Sequence, residues 1–212
     1  MIQIALEMLI KEGHIEWQGS LRKTYDKYLH PDVLMDIKDD KELWKLLTEG
    51  KLISAFQFDS GVGEQAIKLI EPTKFIEAMS ANNLMRLMAE EGKESPMVTY
   101  RNNKNNIELW YQEMRDFGLN KEEISILEKY LKDDYGVCSD QETMMLMTMD
   151  ENIADFGVVE SNIVRKGVAK KIGKIYEKAH QLFYEWGLKL GTSKAMLDYV
   201  WNIQIAKQKG LI

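Results

Sequence analysis

Between Arg165 and Lys178 the chain places six cations, Arg165, Lys166, Lys170, Lys171, Lys174 and Lys178, against the single acid Glu177. A cluster of this density suits phosphate, because guanidinium and ammonium groups neutralise its charge and donate to its oxygens. It stands in an acidic chain, whose 28 Lys+Arg against 34 Asp+Glu leave a formal net charge of −6. The overall balance argues against a free-standing nucleic-acid binder, while the segregation argues for a local anion site. A solvated basic face is the alternative. Other chemistries find less support. His14, His30 and His180 are far apart with no second ligand at helical spacing, and there is no HExxH, EF-hand loop, P-loop or GxGxxG. Gly61-Val62-Gly63 lacks the Lys-Ser/Thr that a phosphate loop needs. The lone Cys138 excludes an intrachain disulfide and a multi-cysteine metal site. The neighbours in Asp39–Asp40 and Asp133–Asp134 point ~100° apart on a helix, so they read as capping and solvated groups, and no metal site is expected.

The elements that must position these groups are helical. Over Lys171–Leu190 the apolar residues Ile172, Ile175, Ala179, Leu182, Phe183, Trp186 and Leu190 recur at steps of three and four and make one stripe. His180 lies beside it, as a packed or solvated side chain. Ser193 caps a following helix to about Lys207, and Asn120 caps one over Glu122–Leu131. Similar patterns cover Ile2–Lys11, Asp40–Leu47, Glu64–Ile70, Lys74–Met88 and Ile107–Phe117, with Pro31, Pro72 and Pro96 between segments. Leu52–Phe58 is apolar, partly β-branched and bounded by glycines, and reads as a strand or extended segment entering a helix near Ser60. Glu90–Asn106 is polar and reads as a long loop. Trp17, Trp44, Trp110, Trp186 and Trp201 are mostly core candidates, and Met144, Met145, Met147 and Met149 read as core filling.

Continued as one helix, Arg165 and Lys170 would lie ~140° apart, so no one face presents Arg165, Lys166, Lys170 and Lys171. A break at Gly167 is the expected way to redirect them. With 212 residues, 45% of them hydrophobic, the chain suits one domain or two small helical ones. It has no apolar run of the ~18–20 residues a membrane span needs. Its start lacks the basic-then-apolar order of a signal peptide. A cytoplasmic protein with no membrane partner is therefore expected, and a start that enters a helix without a cap and an end without a polar tail suggest a piece of something longer.

Three segments then occur in a telling order. Gly50-Lys51-Leu52-Ile53-Ser54-Ala55-Phe56-Gln57-Phe58-Asp59-Ser60 resembles a Gly-x-x-x-x-GVFQ-E-S segment, with Asp59 in place of Glu. Tyr135-Gly136 and Gln141-Glu142 with Met145 resemble YG-x-x-x-YQEQ-x-M, with Asp140 and Thr143 substituted. Arg165-Lys166 and Lys170-Lys171 resemble RR-x-x-GKK, with Ala169 where glycine is usual. In this order and spacing, over about Asp39 to Lys207, the chain resembles the fingers region of the bacterial DNA polymerase III alpha subunit, a family C replicative polymerase. It is a divergent copy, and a phage origin (host cytoplasm) would explain the divergence. Where the family has an Arg-Pro-Gly turn, Asn83–Met88 keeps Arg86 and loses the Pro-Gly.

The resemblance implies a mainly α, multi-helix fingers module with at most a short strand or hairpin. Residues 1–40 would join the fingers to the palm, and 41–212 would form the fingers. It implies nucleotide contacts from Arg86, Arg165, Lys166, Lys170 and Lys171, with Phe56, Gln57, Ser60, Tyr135, Gln141 and Glu142 shaping the pocket of the nascent base pair. The palm aspartates and Mg²⁺ would belong to the parent, a DNA-directed DNA polymerase, and this stretch alone would be inactive. Primer–template DNA, dNTP, a sliding clamp and other replisome subunits would be the parent's partners. Rival readings are a stand-alone helical nucleic-acid-binding module and a helical protein scaffold.

Overall fold

Small polar residues set where the helices begin. Ser20, Ser60, Ser95, Asn120, Asp140 and Ser193 each accept, through the side chain, the backbone N–H three residues on, which satisfies a donor that no helical carbonyl reaches. At Asn120 the Glu123 carboxylate returns the bond and completes a capping box. The computed structural model describes residues 2–30, 33, 41–53, 55–87, 94–170 and 173–206, except the side chains of Ala169 and Lys170. In chain order the helices are α1 (Ile2–Lys11), α2 (Leu21–Tyr28), α3 (Lys41–Thr48), α4 (Gly61–Ile70), α5 (Phe75–Leu84) and α6 (Pro96–Asn105). They continue with α7 (Glu108–Asp116), α8 (Lys121–Leu131), α9 (Gln141–Met149), α10 (Val158–Lys170), α11 (Gly173–Leu190) and α12 (Lys194–Asp198), which runs on as a π-helix over Tyr199–Ile205. Among the described residues there is no β-strand.

Two apolar cores organise these helices. The larger gathers Trp110, Met114, Leu127, Phe183, Tyr199 and Trp201 with their neighbours from α7 to the π-helix. Burying each such aromatic contributes roughly 2–3 kcal/mol. The smaller joins Ile67, Ile70, Leu84 and Tyr100 from α4, α5 and α6 with Leu52 from the segment ahead of α4. The Tyr135–Cys138 segment lies on the seam, with Val137 in the smaller core and Cys138 in the larger.

The helices expected over Ile2–Lys11, Ile107–Phe117, Glu122–Leu131 and beyond Ser193 form, the last as far as the described residues go, since Lys207 lies outside them. Five details differ. Leu52–Phe58 holds no strand: Ala55 N–H bonds to Leu52 O (2.9 Å) and Phe58 N–H to Ala55 O (3.1 Å), so these donors are satisfied in tight turns without a partner strand. Ser54 lies outside the described residues. The loop expected over Glu90–Asn106 contains α6, because Ser95 caps it, Pro96 occupies its first turn and Tyr100 and Asn103 face inward. Pro96 is thus inside a helix and not between segments. The stripe on α11 is centred on Ala179, Phe183 and Gly187, leaving Trp186 and Leu190 exposed. Trp17 is also exposed, while Trp44, Trp110 and Trp201 are buried. Finally, α2, α9 and α10 are helical although their sequences carry no clear apolar stripe. Their inward faces mix apolar residues of the larger core, Met144, Met147, Val164 and Val168, with buried Thr24, Thr148 and Ser161 that do not register as apolar.

Candidate functional site

The turn ahead of α4 is held close to the helix it introduces. A Cβ on Gly63 would lie 2.5 Å from Gln57 O and 2.6 Å from Phe58 Cα, so only glycine lets the first turn of α4 approach this backbone. Ser60 Oγ donates to Gln57 O (3.1 Å) and accepts from Gly63 N–H (3.1 Å). Gln57 itself takes a positive φ of 65°, and its side-chain oxygen accepts a hydrogen bond from Arg86 Nη2. Arg86 sits just past α5, where its N–H bonds to Asn83 O at 3.1 Å. Phe56, beside Gln57, is 77% exposed.

A second arginine is held in the same manner. Asp140 caps α9 and so places Gln141 at its first position. Gln141 Oε1 accepts from Arg165 Nη1 on α10 (3.3 Å), and Arg165 Nε donates to Asn162 Oδ1 (2.9 Å). Among the described residues neither Arg86 nor Arg165 has a carboxylate within ion-pair distance, whereas Arg22 pairs with Asp26 and Arg115 with Glu108. Neutral amides hold the two guanidinium groups in place, and no carboxylate among the described residues offsets their charge. Lys166 and Glu142 are exposed. Lys171 and the side chain of Lys170 lie outside the described residues.

Gly167 does not break the helix. The backbone of α10 runs through it to Lys170, and a Cβ there would meet Tyr176 Cα at 3.1 Å and Ile175 O at 3.2 Å. The glycine serves the close crossing of α10 and α11 and does not redirect the basic residues by a break in the helix.

Tyr135 turns elsewhere. Its hydroxyl donates to Glu77 Oε1 (2.6 Å), and Glu77 Oε2 accepts from Thr73 N–H (2.7 Å) and Lys104 Nζ (2.9 Å). Burial pushes the Glu77 carboxyl up, but the bonds from Thr73, Tyr135 and Lys104 outweigh it and hold it below its ordinary 4.5. Asn103 Nδ2 donates to Tyr135 O (2.8 Å). Sequence reasoning missed this network, because Glu77 reads as one more surface acid on an amphipathic helix.

Asp134 is a correction. It is not a solvated member of an acidic pair but a buried group, 8% exposed, that accepts a hydrogen bond from Ser80 Oγ. Asp39 and Asp40 lie outside the described residues. Burial pushes the Asp134 carboxyl up to about 6, with Asp140 and Asp133 adding and Ser80 and Ser139 opposing. The folded chain thus holds a proton that the unfolded chain, titrating near 3.8, has lost. The stability from this group is complete below about 3.8 and is lost as pH rises through about 6. Its full size is about 3 kcal/mol at most. Asp134→Asn should remove that decline, visible in thermal midpoints measured from pH 4 to 7, and identical profiles for the two proteins would refute it.

The structure therefore joins Gln57 with Arg86 and Gln141 with Arg165, gives Ser60 a capping role and turns Tyr135 towards Glu77. No hydrogen bond among the described residues links the two arginine pairs. Among those residues no group of three or more His, Cys, Asp or Glu could hold a metal ion, and no helix is long and apolar enough to cross a membrane.

Comparison with known proteins matches residues 13–191 to the family model described as the bacterial DNA polymerase III alpha subunit finger domain. Over 209 residues the chain is 45% identical to the probable DNA polymerase YorL of Bacillus subtilis (strain 168), covering 99% of this chain and 16% of that protein. The figures are the same for the DNA-directed DNA polymerase of Bacillus phage SPbeta. The DNA polymerase III subunit alpha of Treponema pallidum is 28% identical over 189 residues, 89% of this chain and 15% of its own length. The chain spans about a sixth of the length of these relatives.

Proposed function

Because the chain belongs to the finger-domain family of bacterial DNA polymerase III alpha subunits, we propose that it forms the fingers of a template-directed DNA polymerase, gripping the triphosphate of the incoming dNTP and shaping the pocket of the nascent base pair. The observation that carries this reading is the pair of guanidinium groups, Arg86 and Arg165, oriented by Gln57 and Gln141 and neutralised by no carboxylate among the described residues. An arginine already oriented and still fully charged is suited to phosphate oxygens, and loses little freedom when they arrive. Lys166, Lys170 and Lys171, which follow Arg165 in the sequence, would add positive charge to the grip. Phe56, Gln57, Ser60, Tyr135, Gln141 and Glu142 shape the pocket, with the Ser60 cap and the Tyr135–Glu77 bond keeping their segments in place.

In this reading residues 1–40 connect to the palm and 41–212 form the fingers. Mg²⁺, held by the palm of the parent, would supply charge stabilisation at the reacting phosphate. The residues of this chain bind and orient, and alone they would not polymerise. Primer–template DNA and dNTP are the parent's substrates, with a sliding clamp and other replisome subunits as its partners.

The test is primer extension by the full-length protein carrying Lys170→Gln and Lys171→Gln. The KM for dNTP should rise about tenfold, as expected when two cations are removed from the neighbourhood of a phosphate. Unchanged extension kinetics would remove the basic stretch from the nucleotide site.

A further inference from the structure

A cavity of about 310 Å³ opens at the C-terminal end of α4, between that helix and α6, and Lys68, Glu71, Thr73, Arg101, Lys104 and Asn105 line it. Its cations differ in how they are matched. Lys68 is paired with Glu64. Lys104 is fully engaged, donating to Ile70 O (3.0 Å), Glu71 O (2.7 Å) and Glu77 Oε2 (2.9 Å). Arg101 has no such match: its Nε is sealed from solvent without a hydrogen-bond partner, and no ion pair reaches it among the described residues. A buried donor left unpaired costs about 1–3 kcal/mol, and such exceptions in folded proteins call for an explanation. Arg101 lines this polar cavity, and a guanidinium with no ion pair among the described residues suits a phosphate group.

We propose that this cavity binds a backbone phosphate of a nucleic-acid strand, with Arg101 as its principal donor and Lys68 at its rim. The choice of strand over free nucleotide rests on position. The Gln57–Arg86 pair adjoins the start of α4, where Gly63 touches Gln57, and the cavity lies at its other end. Ten residues of helix separate them by ~15 Å, beyond the reach of one triphosphate. A strand, with a phosphate about every 3.4 Å along the duplex axis, covers that distance in four or five nucleotides. The inference rests on the polymerase reading above for its ligand and on the Gln57–Arg86 pair for the choice of strand, but not on the same readout.

The experiment uses the full-length protein and a fluorescein-labelled primer–template, with affinity followed by anisotropy across a salt series and dNTP KM measured in parallel. Arg101→Gln should weaken DNA binding about tenfold, reduce the salt slope by about one and leave dNTP KM unchanged. Arg22→Gln, on the surface of α2 and paired with Asp26, should leave both unchanged. Because Arg101 is partly buried, Lys68→Gln at the exposed rim provides a second probe, with about threefold weaker DNA binding expected. A rise in dNTP KM at constant DNA affinity would assign the phosphate to the nucleotide and overturn the proposal. Unaltered DNA affinity in both variants would also overturn it. Failure of the nucleotide reading would appear instead in the dNTP KM of Arg86 and Arg165 variants.

Discussion

Replacing both Arg86 and Arg165 with alanine in the full-length protein is expected to lower kcat/KM for the incoming dNTP by about 10²–10³-fold. Taking a charge-assisted hydrogen bond away from a bound triphosphate costs about 1.5–3 kcal/mol, and two such bonds reach that range. Both guanidinium groups would share one triphosphate as partner, so the two single variants beside the double one measure how far their effects are coupled. The partition between constants carries information: a rise in KM alone means grip on the ground state, while a fall in kcat means contact that strengthens as charge develops. Stability should hardly change, because Gln57 and Gln141 are left at accessible positions where water takes the place of the guanidinium. A fall of less than about threefold, with the thermal midpoint preserved, would exclude these arginines from the nucleotide site.

The largest stability effect is expected at Gly136. Its φ is +78°, and a Cβ there would sit 2.3 Å from Trp110 Cγ. Trp110 is 1% exposed and its Nε1 donates to Tyr199 Oη at 3.0 Å, so the indole cannot move aside without breaking a buried bond. Gly136→Ala should therefore cost about 3–5 kcal/mol, combining left-handed strain with overpacking. Gly191→Ala isolates the first part, since φ is +89° there but nothing lies within 4 Å, and about 1 kcal/mol is expected. Chemical denaturation of the two variants measures the difference. Equal losses would show that the clash with Trp110 is relieved elsewhere.

Helices whose apolar residues recur at three- and four-residue steps, and whose caps are Ser or Asn, were legible in the sequence because both signals are local. Asn120 with α8 and Ser193 with α12 are examples. The strand or extended segment expected at Leu52–Phe58 gives way to turns among its described residues, because apolar content does not provide a pairing partner. Helix α6 was hidden by its asparagines, one of which, Asn103, faces inward to bond Tyr135 O. The family resemblance singled out Gln57 and Arg86, but not that they meet across 29 residues of chain, which depends on how α4 and α5 pack. Gly167 shows the limit most clearly. A glycine in a helix can signal a bend or a close neighbour, and only the backbone of Tyr176 decides between them. The burial of Glu77 and Asp134 was equally out of reach, since a carboxylate within a core and one in water are spelled the same way.

The π-helix at the end of the described chain bears on how this protein tolerates length change. Over Tyr199–Ile205 the winding accommodates a residue that an α-helix would not need. Within it, Gln204 accepts from Cys138 N–H (3.0 Å) and donates to Gly136 O (3.0 Å), tying the last helix to the seam between the two cores. Deleting one residue ahead of Gln204 would let the segment relax to ordinary α-helical winding, a locally more favourable form. It would also rotate Gln204 by ~100° and strip both backbone groups of the Tyr135–Cys138 segment of the amide that now satisfies them. An alignment that closes a one-residue gap here would thus improve the helix on paper while unhooking the turn it fastens.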